Sequence, residues 1–320
     1  MTLQHFLLSA AARTLSLKAV FKMGEDAAYE TFRQMRWPET DGEAVCPSCG
    51  CPETYNITSR RRFKCVGCHH QFSVTSGTIF ASRKLSFTDL LAAIVIFVNG
   101  AKGVSALQVS RDLDVQYKTA FVLSHKLREA MVRETAGATL DGVVEVDGAY
   151  FGGYVKPANH KLNRLDRRLR LNQNGKRQSV VVVRERNGET LTFVGKSEAA
   201  GVAVVKANVA PGTIVHADEA SHWDALHGSF ETRRINHSVC YSDGSACTNM
   251  AESFFSRLRR AEVGTHHHIA GPYLAAYAGE MAWREDNRRQ ANGSQAAMVT
   301  KAAMDAPVSR AWAGYWQRAA

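Results

Sequence analysis

The chain has 320 residues, 45% hydrophobic and 22% charged, enough for two or three domains with proper cores and too apolar for a largely disordered chain. Its 40 lysines and arginines against 30 aspartates and glutamates leave a net charge of +10, which points toward a polyanionic partner without bearing on the fold. No apolar run approaches the ~18 residues of a membrane span, and 7 cysteines with two CxxC pairs favour a reducing compartment and a bound metal over a disulfide framework.

Residues 1–12 lack a basic stretch ahead of their apolar positions, so no signal peptide is expected. Ala27, Ala28, Phe32 and Met35 at helical spacing predict a helix over about residues 24–37, stopped by Pro38. Cys46-Pro-Ser-Cys49 and Cys65-Val-Gly-Cys68 come next, separated by fifteen residues. This is zinc-ribbon spacing: each pair makes a knuckle that offers two thiolates to one tetrahedral ion, and residues 55–63 suffice for a hairpin. Four thiolates close the coordination shell, so the zinc is expected to be structural; a redox dithiol is the competing reading. Cys51 is expected to be a spectator, with His69 and His70 able to replace a ligand.

Ser86 to Asp89 opens a helix that Asn99-Gly100 stops; residues 104–113 give a second, Asp114 a break, and residues 116–133 a third. A short helix, a turn and a longer polar-faced helix match a helix-turn-helix, with Lys118, Thr119, Ser124, His125 and Arg128 able to face a DNA groove. A plain three-helix bundle fits the same spacing.

The period then changes. Residues 143–147 alternate, with Val144 and Val146 on one face and Glu145 and Asp147 on the other, Asp147 ending the strand. Residues 155–178 hold Lys156, Lys161, Arg164, Arg167, Arg168, Arg170, Lys176 and Arg177 against Asp166 alone: a polar loop that contacts phosphates, or a solvated insertion. With Arg60, Arg61, Arg62 and Lys64, and with Arg257, Arg259 and Arg260, it makes three basic patches, as duplex DNA tracked over some length requires. Strands are predicted at 179–184 and 190–194, joined through Asn187-Gly188, then a helix over 198–208 and a strand over 213–216 running into Asp218. A helix from Ser221, a short segment near Arg234 and Ile235, and a helix over 249–262 complete the order β-β-β-α-β-α-β-α. That order is the order of a ribonuclease H-like α/β domain.

In such a domain the first and fourth strands are neighbours, so Asp147 and Asp218 meet at their ends. Glu252 comes after 33 intervening residues, room for a helix, a strand and the start of another helix. Three converging carboxylates can hold magnesium or manganese, and two such ions ~3.5–4 Å apart support in-line phosphoryl transfer. Each residue also has a plainer reading. Glu252 completes a capping box with Asn249, Asp147 can cap a turn before Gly148, and Asp218 can cap the next helix. Glu145 and Glu219 leave the choice of ligand open by a residue or two.

Glu145-Val-Asp-Gly-Ala-Tyr-Phe-Gly-Gly153, Asn236-His237-Ser238, the segment from Asn249-Met-Ala-Glu252 to Arg259-Arg260 and Gly264-Thr-His-His267 resemble the DDE transposases of bacterial insertion sequences, in the subgroup with an N-terminal zinc ribbon. The resemblance spans roughly residues 24–289. It implies that Asp147, Asp218 and Glu252 are the catalytic, metal-binding triad. Where the family usually has a lysine seven residues after the glutamate, this chain has Arg259, nearly two helical turns on and on the same face. The implied activity is metal-dependent cleavage at element ends and strand transfer into target DNA. The implied partners are the terminal inverted repeats and target DNA, bound by a homo-oligomer in the bacterial cytoplasm, at the nucleoid, and no membrane. A DNA-binding regulator descended from a transposase, and a ribonuclease H-like nuclease, are the alternatives.

The expected domains are an N-terminal helical segment (1–40), the zinc ribbon (41–80), the helix-turn-helix-like region (81–136), the catalytic domain (137–290) and a helical tail (291–320), whose role the sequence leaves open. Arg164, Arg167, Arg168, Lys176, Arg177 and Arg259 are the candidate DNA contacts.

Overall fold

A computed structural model describes residues 6–152, 175, 177–236 and 246–318. Thr135–Arg288 form one unit; the residues up to Glu134 and those from Arg289 form another.

In the latter unit the Ser16 hydroxyl accepts the Ala19 N–H (3.0 Å) and starts α1, Leu17–Arg36. The helix begins earlier than its spacing predicts because Ser16 caps an additional first segment, which Gly24, at φ 79°, separates by a kink from the predicted one. The ribbon is a three-stranded antiparallel sheet, β1 (Thr54–Ile57), β2 (Arg62–Cys65) and β3 (Gln71–Phe72). Trp37, Phe63 and Phe72 pack against one another beneath it. A capping box between Ser86 and Asp89 opens α2, Phe87–Asn99, whose residues from Leu90 to Val98 are all buried. Next come α3 (Ala106–Asp112) and α4 (Tyr117–Glu134).

The chain's end is core, not appendage. Helix α8 (Asn292–Asp305) packs against α1, α2 and α4, and Ile79 donates its N–H to Ala306 (2.8 Å). The segment after α8 covers part of α4: His125 is buried and stacks on Trp312 with ring centroids 4.2 Å apart, and Phe121 meets Trp312, Tyr315 and Trp316. Ser124, His125 and Arg128 are interior, contrary to the groove-facing expectation, His125 against Trp312 and Arg128 over the Phe97 ring of α2 (5.3 Å), while Lys118 and Thr119 stay exposed.

The second unit is built on five strands: β4 (Val143–Phe151), β5 (Gln178–Glu185), β6 (Thr190–Gly195), β7 (Ile214–Asp218) and β8 (Glu231–Ile235). Their order is β6-β5-β4-β7-β8, antiparallel from β4 to β6 and parallel from β4 to β8. This is the ribonuclease H-like mixed sheet. Its helices are α5 (Gly201–Asn208), α6 (Asn249–Arg260) and α7 (Leu274–Asn287), with short 3₁₀ segments at Glu198–Ala200 and Ser221–Leu226. Both faces are covered. Val144, Val146, Val181 and Val183 pack with Val205, Trp223 and Leu226 on one side, and Ala149, Phe151, Val180 and Val182 pack with α6 and α7 on the other. Strand β4 does not stop at Asp147. Antiparallel pairing with β5 carries it to Phe151, whereas its parallel pairing with β7 ends at Val146↔Ala217. Asp147 thus lies one step past the end of the parallel pair.

Candidate active site and zinc-ribbon cysteines

Residues two apart on a strand share a face, so Glu145 and Asp147 of β4 point the same way, as do His216 and Asp218 of β7. The register pairs Glu145 with His216, which sets Asp147 and Asp218 side by side one pleat further on. Asp147 accepts the Gly148 N–H (2.7 Å) and Asp218 the Ala220 N–H (3.2 Å). Burial pushes the Asp147 carboxyl up to about 7; the charges of Asp218, Glu198 and Glu252 add to the rise, and the Gly148 N–H opposes it. Asp147 thus feels both other members of the expected triad, although among the described residues only the four ribbon cysteines bring all their ligand atoms within 4.8 Å. An all-oxygen set in which like charges already hinder ionisation suits a hard divalent cation such as magnesium or manganese.

Glu198 is a fourth carboxylate that sequence reasoning missed. It sits at the turn after β6, and a Cβ at position 148 would stand 2.4 Å from its Cγ, so the glycine after Asp147 makes room for it. Burial raises its carboxyl and Asp218 raises it further, while Arg177 opposes. The available signal was an acid opening the helix after the third strand, beside a glycine following the first aspartate.

Glu145 is no rival ligand. It is fully buried and accepts the N–H groups of Met250 (2.7 Å) and Ala251 (3.2 Å) and Nε of Arg186 (3.1 Å). The capping-box reading of Glu252 also changes. Thr248 occupies the N-cap, Asn249 is the first helical residue, and the first-turn N–H groups are answered by Glu145 of β4. Glu219 is outside β7, one residue after Asp218.

Arg259 is exposed on α6, its guanidinium 5.9 Å from the Phe151 ring centroid, whereas Arg257 is engaged by buried Glu285. Arg177 lies 3.7 Å from the Tyr150 ring centroid. Arg164, Arg167, Arg168 and Lys176, with most of the basic stretch, lie outside the described residues.

The ribbon sulfurs do converge. Cys46 and Cys68 stand 3.6 Å apart, Cys49 and Cys65 3.5 Å, and all four ligand atoms fall within 4.8 Å. Without a metal the four sulfurs hydrogen-bond one another, so their acidities split: the Cys68 N–H helps pull the Cys65 thiol down to about 6, while its sulfur neighbours push Cys49 up to about 12. Cys51 stays outside this group, 3.8 Å from the Glu53 carbonyl.

Comparison with known families finds the ISXO2-like transposase domain over residues 139–286 and the transposase zinc-ribbon domain over residues 23–71. The two matches together take in more than half of the chain. The chain carries an ISXO2-like transposase domain behind a transposase zinc ribbon. The ribbon match encloses all four cysteines, and the transposase match contains Asp147, Asp218 and Glu252. Among solved structures the transposase is similar to a chain in the crystal structure of the Mos1 strand transfer complex, 11% identical over 62% of this chain and 76% of that one; at a TM-score of 0.21 that likeness carries no argument. No curated protein matches. No helix among the described residues is long and apolar enough to cross a membrane.

Proposed function

We propose that Asp147, Asp218 and Glu252 are the catalytic carboxylates with which this transposase cuts DNA at the ends of its element and joins the freed 3′ ends to target DNA. The observation that carries the reading is the side-by-side placement of Asp147 and Asp218 on adjacent parallel strands, with Glu252 near enough in the first turn of α6 to raise the Asp147 carboxyl. Magnesium or manganese held there would activate the attacking oxygen, first of water and then of a 3′-hydroxyl, and stabilise the leaving oxygen. The chain's own part is to supply carboxylate oxygens at fixed positions, one pleat above a buried hydrogen-bonded row. Cys46, Cys49, Cys65 and Cys68 would hold one structural zinc, and their tetrad of sulfurs supports that. Arg259 reaches solvent two turns beyond Glu252, where a phosphate can meet it. Arg164, Arg167, Arg168, Lys176 and Arg177 would track the duplex through phosphate contacts, and a homo-oligomer would bring two terminal inverted repeats together at the nucleoid.

The test is incubation of zinc-loaded protein with an oligonucleotide duplex carrying one element end. Nicking at that end that requires magnesium or manganese supports the reading. Specific end binding with no nicking under either ion contradicts it and favours a regulator, and cleavage without joining favours a nuclease.

A further inference from the structure

The register aligns Arg184 of β5, Glu145 of β4 and His216 of β7 in one cross-strand row, one pleat behind Asp147 and Asp218. Arg184 and Glu145 grip the first turn of α6, and His216 grips the segment just before it. Arg184 donates Nη1 to the Met250 carbonyl (3.0 Å), Glu145 accepts the Met250 and Ala251 N–H groups, and His216 Nδ1 accepts the Cys247 N–H (3.1 Å). Arg186 ties the row together, donating to Glu145, to Cys247 Sγ (2.7 Å) and toward His216 Nδ1 (3.2 Å). Arg184 is itself held by Glu285 of α7 (3.0 Å), so the row is braced from behind as well.

Glu252 comes directly after Ala251. The same two strands that carry Asp147 and Asp218 thus fix the start of the helix that carries the third carboxylate, through residues two positions before each aspartate. We infer that Arg184, Glu145 and His216 are positioning residues that set Glu252 against the two aspartates. The inference rests on the triad proposed for catalysis. Glu145 is the centre of the device because a single buried carboxylate satisfies two first-turn N–H groups whose only other recourse is a side-chain cap or water. Such outer supports of metal-holding side chains are worth roughly 10–100-fold in metal affinity.

The decisive measurement is calorimetric titration of the zinc-loaded full chain with manganese, beside a thermal melt of each protein. In Glu145→Gln one acceptor and the charge are lost while the volume stays, and manganese affinity at the carboxylates is expected to fall about tenfold or more. His216→Ala, which frees the Cys247 N–H without burying a charge, is expected to weaken it in the same direction and serves if Glu145→Gln does not fold. Val205→Ala, a cavity on the opposite face of the sheet, is expected to lower the melting temperature and leave manganese affinity unchanged. Wild-type affinity in both row variants overturns the inference, as does an equal loss in Val205→Ala. Wild-type protein that takes up no manganese, or Asp147→Asn protein that takes it up equally well, overturns the triad reading and this inference with it.

Discussion

A carboxyl group that is buried among other carboxylates ionises reluctantly, and a divalent cation relieves it by sharing the charge; Asp147 is in that position. Glu198 adds to the same field without belonging to the expected triad. Glu198→Gln is therefore expected to raise the metal concentration needed for cleavage several-fold while leaving the rate at saturating metal within about tenfold, since one charge of four is lost and three remain. A metal titration of nicking checks it, and an unchanged midpoint contradicts it. Asp286, remote from these ligands, gives a pH test. Burial pushes its carboxyl up to about 6, opposed by the hydroxyl and N–H of Thr190. The native chain therefore binds this proton more tightly than the unfolded chain, and the contribution is present at pH 4 and lost as pH rises through 6. Melting temperatures of Asp286→Asn relative to wild type are expected to improve from pH 4 to pH 7; a constant difference contradicts the burial account. At this scale Asp147, Asp218 and Glu252 were legible because acids at strand ends and on a helix are visible as a pattern. Glu145 and Glu198 were not. Whether a neighbouring acid ligates, caps or merely lies close depends on contacts across 105 residues for Glu145 and Met250, which no local spacing encodes.

Among the elements, the ribbon is the one whose stability rests on a cofactor. Its strands are two to four residues long and its core is little more than Trp37, Phe63 and Phe72, so zinc–thiolate bonding is expected to supply much of its folding free energy. Elemental analysis should give one zinc per chain, and Cys65→Ser, or a strong chelator, should abolish the protection of residues 46–72 in hydrogen exchange. Full protection in zinc-free protein contradicts that role. Element order was readable up to α6, because hydrophobic period, the Ser86–Asp89 box and the Asn187-Gly188 turn are local signals, but α7, which packs on the sheet, was not predicted. Element ends were less so. Strand β4 outruns Asp147 because β5 continues to pair with it, and α1 starts before Gly24 because Ser16 caps an earlier turn. The burial of Ser124, His125 and Arg128 was hidden for a related reason. Trp312, which stacks on His125, lies more than 180 positions further along the chain, and Arg128 is set over Phe97 of another helix.

For the whole molecule the net charge of +10 is the relevant quantity, and 24 residues, 155–178, hold eight of the basic side chains. Replacing Arg164, Arg167 and Arg168 together by alanine is expected to weaken DNA binding about equally for element-end and unrelated duplexes and to flatten its salt dependence, because phosphate contacts act through counterion release. An unchanged salt slope makes the stretch a solvated insertion. The family was legible from sequence because its motifs are short and chemical, whereas DNA sequence preference is a property of the complex and leaves no such mark. The central claim, that three carboxylates carry both chemical steps, is tested most directly by Asp147→Asn, Asp218→Asn and Glu252→Gln in one assay that tracks end nicking and strand joining with magnesium or manganese, alongside end binding and a thermal melt. Each amide keeps its side chain's size and removes its charge. Every variant is expected to lose nicking and joining together while binding and melting stay near wild type. Retained cleavage in any one of the three, or loss of cleavage only where the protein also unfolds, would contradict the claim.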